Sequence, residues 1–462
     1  MVRPVFGALL ALLLVAAPAW AQPATADVIN AAENAFLDGI ESYESGAYSA
    51  AYATFNRVAS EYGYHAKTTA ALLMAGKAAY ADGLFGRART PLTALVNTYP
   101  ESRYAPEAQR ILSLAQGEDV QIPFNLGVIL PRGNTDEYLG QAVFNGIRIA
   151  VEEHNATRPR RPIRMVFKAS GGTPENAAQA VRDAQADGAE AVIGPLYSQE
   201  AVMAAAAADA VGIPMLAPLA TGDEVTEGRQ NTFQANPTFS ARGRAMARYA
   251  VEGLGFRRLG VVSEAGSLGE DMAEAFAAEA SRLGAAVVFQ ERIAGAAGWG
   301  DLERRIGSDV LSRAQGVYLP VTGADAPIYA ADALRNLEGM RAPPRPLGNT
   351  EWEAITTSRS RASRLGALFT TDFFSAPGTI DAFGARYREL SGIGPDRLAL
   401  MGYDLARFLI SEIEGEEGTL VERLRNADTF QGLAHRFNFE GAQVNGALFV
   451  LAYRDGNAIL VE

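Results

Sequence analysis

Residues 122–156, IPFNLGVILPRGNTDEYLGQAVFNGIRIAVEEHNA, constrain the fold more than any other stretch of the chain. Phe124 to Leu130 is a nearly unbroken apolar run. Its length and branching suit a strand buried on both faces, as in a parallel sheet. Pro131, Arg132, Gly133 and Asn134 break the run. Thr135 is placed to cap a helix whose first turn carries Asp136 and Glu137. Phe144, Ile147 and Val151 then recur at i, i+3 and i+7, and Arg148 and Glu152 make an i, i+4 pair on the other face. Strand, polar turn and helix open a doubly wound α/β domain. Such sheets hold ligands at the carboxyl ends of their strands, beside helix N-termini.

The pattern continues downstream. Ile163 to Phe167 reads as a second strand, Gly171, Gly172 and Pro174 as a loop, and Glu175 to Ala186 as a helix. In GAEAVIGPLYSQEA, Gly188 to Ala201, a strand over Ala191 to Ile193 ends at Gly194-Pro195. Ser198 stands where the next helix begins, able to cap it and to offer its hydroxyl to a ligand. GIPMLAPLATGDEVT, Gly212 to Thr226, supplies another strand and turn. Arg257 to Val262 is again a strand. Gly253 and Gly255 precede it, whereas a dinucleotide-binding fingerprint needs its glycines after one.

The first part of the chain is different. From Asp27 to Gln116 it is rich in alanine, leucine and tyrosine at helical spacing. Gly39, Tyr43, Gly46, Ala51 and Tyr62 recur as Gly76, Tyr80, Gly83, Ala88 and Tyr99, each 37 residues on. Tyr48 and Phe85 follow the second glycine of each unit, and Phe55 and Leu92 supply a large apolar residue further along. This order resembles the tetratricopeptide repeat, with Tyr64 to Lys67 as the excess over the usual period and Ala105 to Ala115 as a terminal capping helix. Gln116 to Asp119 is a polar break.

Composition bounds the compartment and the chemistry. Met1 to Ala21 reads as a secretory signal, with Arg3, an apolar core from Phe6 to Ala17, and Ala19-Trp20-Ala21 as the cleavage triplet. The chain has no cysteine, which excludes disulfides, thiolate metal sites, a cysteine nucleophile and a lipid-modified cysteine. The expectation is a free periplasmic protein. Net charge is −12 with no basic stretch, so nucleic acid is not an expected partner. There is no P-loop, no G-x-S-x-G and no H-E-x-x-H. His65, His154 and His435 lack ligand spacing, and Glu152-Glu153 and Glu416-Glu417 read as solvated charge. No catalytic residue, cofactor or metal is expected.

Residues 122–156 also resemble the start of a type I periplasmic binding protein of the leucine/isoleucine/valine-binding family. The matching residues are Gly127, Val128, Leu130, Pro131, Gly140, Gln141, Asn145, Gly146, Ile147, Ala150, Glu153, Asn155 and Ala156. The IGP…S segment ending at Ser198 and the IP-x-x-x-P-x-A-T segment ending at Thr221 match the same family. So do Phe233 to Pro237 at the crossing between lobes, Phe383 to Tyr387, Met401 to Asp404 and the tail from Phe430 to Gly441. The resemblance implies a two-lobed α/β fold from Gln121 to the C-terminus. It implies a carboxylate cradle of Ser198, Leu219, Ala220 and Thr221. Thr322, after a strand over Gly316 to Leu319, and Glu351 would contribute from the second lobe. Two departures stand out: the family's pocket tyrosines are replaced by Leu268 and Thr322.

The expected organisation is therefore a signal peptide (1–21), a tetratricopeptide-like helical repeat domain (22–118) and a two-lobed α/β periplasmic-binding-protein-like domain (119–462). The resemblance implies a non-catalytic binding protein for a small polar or amino-acid-like, carboxylate-bearing solute, serving an ABC transporter. A helical repeat joined to this fold also resembles the activators of penicillin-binding proteins. That alternative implies a protein partner, a peptidoglycan synthase, bound through the repeats.

Overall fold

The computed structural model describes residues 26–62, 64–116, 123–133, 136–157, 159, 161–415 and 418–461. The expected signal segment, the residues on either side of the expected 118/119 boundary, Thr135 and the Glu416-Glu417 pair lie outside the described residues. The chain divides into two compact units, one up to residue 121 and one from residue 122 onward.

The first unit is a run of helices: α1 (Ala26–Glu44), α2 (Tyr48–Glu61), α3 (Thr68–Ala81), α4 (Phe85–Thr98) and α5 (Ala105–Gln116). Each packs against the next. The 37-residue correspondence has a physical counterpart. A Cβ on Gly39 would collide with the ring of Phe55, and one on Gly76 with the side chain of Leu92. In both helical pairs, a missing side chain makes room for the large residue of the neighbouring helix. Gly46 and Gly83, with φ of +77° and +72°, turn the chain between the helices of each pair.

The second unit begins with β1 (Phe124–Leu130), α6 (Glu137–Ala156), β2 (Ile163–Ala169), α7 (Pro174–Ala186), β3 (Ala191–Ile193), α8 (Ser198–Val211), β4 (Met215–Ala217) and β5 (Thr232–Gln234). The strands form one parallel sheet in the order β2-β1-β3-β4-β5. Helix α6 starts at Glu137 with Asp136 as N-cap residue and no side-chain capping bond, a later start than a Thr135 cap implies. Arg148 and Glu152 pair at 2.7 Å as their spacing requires.

The chain then crosses to a second lobe: α9 (Phe239–Arg248), continued by a π-helical turn over Tyr249–Gly253, β6 (Arg258–Glu264), α10 (Leu268–Arg282), β7 (Ala286–Ile293), the short α11 (Leu302–Ile306) and α12 (Ser308–Leu311), β8 (Gly316–Tyr318), α13 (Ala326–Glu338), β9 (Arg345–Gly348), α14 (Arg359–Arg364) and β10 (Leu368–Thr371). It returns to the first lobe through α15 (Asp381–Ser391), α16 (Arg397–Ile413), α17 (Leu420–Asn426) and the small antiparallel pair β11 (Phe430–Gln431) and β12 (Arg436–Phe437). A third crossing delivers β13 (Phe449–Arg454) and β14 (Asn457–Leu460), which extend the second sheet antiparallel. That sheet has the order β14-β13-β10-β9-β8-β6-β7.

Helices α6 and α16 seal the core of the first lobe. Gly146 of α6 lies against the backbone of Ala399 and Tyr403, and Gly402 of α16 against the Val143 carbonyl. Only glycine lets the two backbones come this close. Val143, Ile147, Leu400, Leu405 and Phe408 fill the flanks of that seam. The second lobe has its own core, in which Trp299, Trp352, Leu319 and Phe369 are fully buried.

Candidate functional site

Each lobe winds its parallel strands the same way, β2-β1-β3-β4-β5 in the first and β7-β6-β8-β9-β10 in the second. Strand order therefore reverses once per lobe, between β1 and β3 and between β6 and β8. The loops leaving the carboxyl ends beside such a reversal are where open α/β sheets hold ligands. The rims formed by those loops flank each other. Ser240 of α9 donates to both carboxylate oxygens of Asp223, from the loop after β4, at 3.0 and 2.8 Å. Arg397 at the start of α16 pairs with Glu353 after β9 at 3.2 Å.

On the first rim, Ser198 and Thr221 are brought together. Ser198 is the first residue of α8, and Tyr197 is its N-cap residue. Of the two roles open to Ser198, capping falls away, since it lies inside the helix. Its hydroxyl instead accepts from the backbone N–H groups of Thr221 and Gly222, both at 3.1 Å. A serine oxygen has two lone pairs and one proton. With two donors already on the oxygen, the proton is what remains to offer a bound molecule. Ser198 thus keeps a proton it can donate, at the N-terminus of a helix.

Leu219 and Ala220 act through their backbone. The Leu219 carbonyl accepts from Asn236 Nδ2 at 3.0 Å. The Ala220 and Gly222 carbonyls accept from Gln234 Nε2 at 3.2 and 2.9 Å. Gln234 is fully buried at the end of β5 and accepts in turn from the Thr226 hydroxyl at 3.1 Å. The loop from Leu219 to Gly222 is therefore braced from behind.

The same rim holds an acid that the sequence did not single out. Glu200 is buried in the first turn of α8. One of its oxygens accepts from the Ser170 hydroxyl at 3.1 Å, and Oε2 has no partner among the described residues. Burial pushes this carboxyl up, against the opposing pull of the Ser170 hydroxyl and the Gly172 N–H, and Asp136 pushes the same way as burial. Burial and the neighbouring Asp136 also raise the Tyr197 phenol. A glutamate three residues into a helix reads as ordinary first-turn charge, so its sequence position carries no sign of this burial.

On the second rim, Thr322 follows β8 and is partly buried. Glu351 lies on a 3-10 turn after β9. It is exposed at the surface, yet desolvation raises its carboxyl while Arg242 and Arg397 pull the other way. Leu268, the first residue of α10, is 52% exposed. No hydrogen bond among the described residues joins Thr322 or Glu351 to Ser198, Leu219, Ala220 or Thr221. The two halves of the expected set stay on separate rims. Acidic groups also face each other across the gap: Asp271 of α10 is raised by burial, by its helix neighbour Glu274 and by Asp223 of the first lobe.

Behind the rims, one arginine ties the crossings together. Arg242 of α9 is buried. Its guanidinium donates to Asp372 at 2.9 Å, Thr350 at 2.9 Å, Asn236 at 2.7 Å and the Pro237 carbonyl at 3.2 Å. Asn236 and Pro237 belong to the first crossing and Asp372 to the second. Arg397 approaches Asp372 to 3.9 Å and stacks over Phe373 at 4.4 Å. Burial alone would raise the Asp372 carboxyl, but the charges of Arg242 and Arg397, the Arg242 hydrogen bond and His435 outweigh it and hold it well below the usual carboxylate range.

The histidines have structural partners. His435 is buried with Nδ1 at 3.0 Å from Asp404, and His154 Nε2 lies 3.0 Å from the Arg161 carbonyl. Among the described residues, no three His, Asp or Glu side chains converge as a metal site requires.

Comparison with known proteins agrees with the two-lobed α/β fold. The sequence profile of a family described as periplasmic binding protein matches residues 123–457. The Leu/Ile/Val-binding protein BraC3 of Rhizobium johnstonii is 26% identical over 246 residues, which are 50% of this chain and 67% of the relative. The Leu/Ile/Val-binding protein homolog 3 of Brucella melitensis is 26% identical over 171 residues, 36% of this chain and 46% of that relative. Among solved structures, a protein from Rhodospirillum rubrum described as a branched-chain amino acid ABC transporter superposes with a TM-score of 0.60 at 23% identity, covering 74% of this chain and all of that one. An ABC transporter substrate-binding protein of Desulfitobacterium hafniense in complex with Leu gives 0.51 at 23%, over 74% and 100% of the two chains. At such identities the structural likeness speaks for the fold.

Proposed function

Because this chain belongs to the periplasmic binding protein family, we propose that it is a non-catalytic solute-binding protein. Its two lobes close on a small carboxylate-bearing molecule of amino-acid type, for delivery to an ABC transporter. The observation that carries the reading is the Ser198–Thr221 cradle. A hydroxyl whose lone pairs are engaged by two N–H groups has a proton to give. It stands at a helix N-terminus, where negative charge is favoured. Thr221 adds a second hydroxyl from the neighbouring strand end. The acidic groups around the gap, Asp223, Asp271 and Glu351, suit the cationic end of a zwitterion. Leu268 and Thr322, at positions the family fills with tyrosine, leave the body of the ligand less enclosed on the second rim.

The test is a thermal-shift screen of the mature protein against amino acids, short peptides and muropeptides. A ligand present at ~100 times its Kd adds ~2.7 kcal/mol to stability. A saturable shift with a carboxylate-bearing zwitterion, lost when the carboxylate is amidated, supports the reading. Shifts that ignore the carboxylate sink it.

A second reading rests on the first unit. Its helical stack leaves Phe85 47% and Tyr64 55% exposed, and the paired contacts of Gly39 with Phe55 and Gly76 with Leu92 repeat at the interval of the tetratricopeptide-like pattern. On this reading the stack is a docking platform for a protein. A peptidoglycan synthase would fit the resemblance to activators of penicillin-binding proteins. A chain lacking residues 22–118 should then keep solute binding and lose the protein partner in crosslinking experiments.

A further inference from the structure

Glu200 lies two residues beyond Ser198 in the first turn of α8 and is 5% exposed. One of its oxygens takes the hydroxyl of the fully buried Ser170, from the loop after β2, at 3.1 Å. Oε2 has no partner among the described residues. Among the described residues no lysine or arginine bears on this carboxyl; the charge that does is Asp136, the N-cap residue of α6. Asp136 is itself hydrogen-bonded to the phenol of Tyr197, the neighbour of Ser198. The elements packed against α8 bring other charged groups: Glu175, Arg182 and Asp183 of α7, and Asp223 and Glu224 of the turn after β4. None of these bears on Glu200. A buried carboxylate needs a cation or several N–H donors to stay ionised. Glu200 has the Ser170 hydroxyl and the Gly172 N–H, set against burial and a like charge, and the balance pushes its carboxyl up.

The positive end of a helix favours a negative charge, but a second one in the same turn is repelled by the first. With Glu200 ionised, a ligand carboxylate on Ser198 would be that second charge. We propose that Glu200 is a proton-linked gate on the cleft: it holds a proton when a carboxylate occupies the Ser198–Thr221 cradle, and binding takes that proton from solvent. The inference rests on the solute-binding reading above and adds its regulation. One proton moves from water or buffer to the Glu200 carboxyl, and no other bond forms or breaks. By linkage, affinity for the carboxylate then falls by up to about tenfold per pH unit once Glu200 ionises in the free protein. Asp271 and Glu351, whose carboxyls are also raised, act with the opposite sign, because their ionisation strengthens the hold on an ammonium group.

The probe is L-leucine, whose own groups keep their charges between about pH 5 and 7. Calorimetry in two buffers of different ionisation enthalpy counts the protons taken up on binding. The full chain is compared as wild type, Glu200→Gln and Asp136→Asn. The difference between wild type and Glu200→Gln isolates Glu200 from Asp271, Glu351 and the histidines. Wild type should take up more protons per leucine than Glu200→Gln, by up to one, and its affinity should fall more steeply as pH rises. In Asp136→Asn the like charge is gone, so the fall should begin at lower pH; this variant keeps Glu200 and covers a Glu200→Gln that does not fold. A difference titration without ligand, wild type against Glu200→Gln, should show a proton held above the ordinary glutamate value of about 4.3. Leucine binding with equal proton uptake and equal pH profiles in wild type and Glu200→Gln overturns the gate and leaves the solute-binding reading standing. So does titration of Glu200 in the ordinary glutamate range. Absence of leucine binding at every pH counts against the reading of the cleft itself, and the gate falls with it.

Discussion

Replacing Asp372 by asparagine should loosen the hinge more than any other single polar change. Asp372 follows β10 and accepts from Arg242 at 2.9 Å, with Arg397 at 3.9 Å. The side chains of Arg242 and Asp372 are only 10% and 18% exposed, so little solvent screening reaches the pair. Removing one partner of a buried, hydrogen-bonded ion pair costs ~3–5 kcal/mol, because the other charge stays buried. Asparagine keeps the shape and one acceptor, so the lower end, about 3 kcal/mol, applies. At ~2–4 °C per kcal/mol this lowers the melting temperature by roughly 6–12 °C, and somewhat less for a unit of this size.

The pH dependence supplies an independent check. The Asp372 carboxyl is depressed in the folded state, so its stabilisation is present above the ordinary aspartate value of about 3.9. It drains away as pH falls below that value toward the depressed one. Wild type should therefore show an acid-side loss of stability that Asp372→Asn lacks in part. Urea melts of the full chain, followed through the buried Trp299 and Trp352 of the second lobe, measure both quantities. A difference under ~1 kcal/mol at neutral pH, or identical acid slopes, would refute the view that this pair holds the crossings together.

Other expectations follow from individual contacts. Thr221→Val removes one hydroxyl donor and keeps the shape, so affinity for a carboxylate ligand should fall about ten- to over a hundredfold by calorimetry, with little change in stability; equal affinities would remove the cradle from the site. Glu200 has a raised carboxyl and an unpartnered oxygen, so its ionisation opposes folding as pH rises through and above the ordinary glutamate range. Glu200→Gln should be relatively more stable than wild type at pH 8 than at pH 4, and parallel stability profiles would contradict the burial. Gly402→Ala forces a methyl group against the Val143 carbonyl and should cost ~1–3 kcal/mol by overpacking; a neutral result in denaturant melts would mean that the α6–α16 seam yields.

Much of the fold was legible because it rests on local patterns. The Phe124 to Leu130 run announces a doubly buried strand by composition alone, and it is β1 over the same residues. Gly39 and Gly76 could be matched by interval, and each faces the large residue predicted to recur with it. The helix starting at Ser198 was also visible, but the role of its serine was not. A hydroxyl at a helix start can cap the helix or turn outward, and the choice is made by a loop that begins more than twenty residues later. The antiparallel β13 and β14 escaped for a similar reason: β14 is a four-residue edge strand with little periodic signal, and β13 pairs with β10, which lies far back in the chain.

The least legible parts are those that make the site work as a unit. Arg242 and Asp372 are separated by 130 residues, and neither stands in a pattern that suggests a partner. Arg242 reads as one more polar residue of an amphipathic helix. What commits it is burial beside two crossings, where an arginine without a carboxylate would be untenable. The same logic explains why the first rim was easier to read than the second. Ser198, Leu219, Ala220 and Thr221 each follow a short apolar strand ending in a proline-containing turn, so sequence order reports their position in space. Thr322 and Glu351 also follow strands, but no hydrogen bond among the described residues joins either to the first rim, and at Glu351 burial outweighs the opposing charges of Arg242 and Arg397. A ligand that draws Glu351 forward would have to compete with those two arginines. Hinge charge and ligand charge are therefore coupled, and Asp372→Asn should alter the affinity of the cleft as well as the stability of the fold. Freed from Asp372, Arg242 and Arg397 would bear more strongly on Glu351, lower its carboxyl and hold it back from a ligand ammonium. Weaker binding of a zwitterion by Asp372→Asn, with no loss for a simple carboxylate, is the expected pattern in calorimetry. An equal loss for both would place Glu351 outside the site.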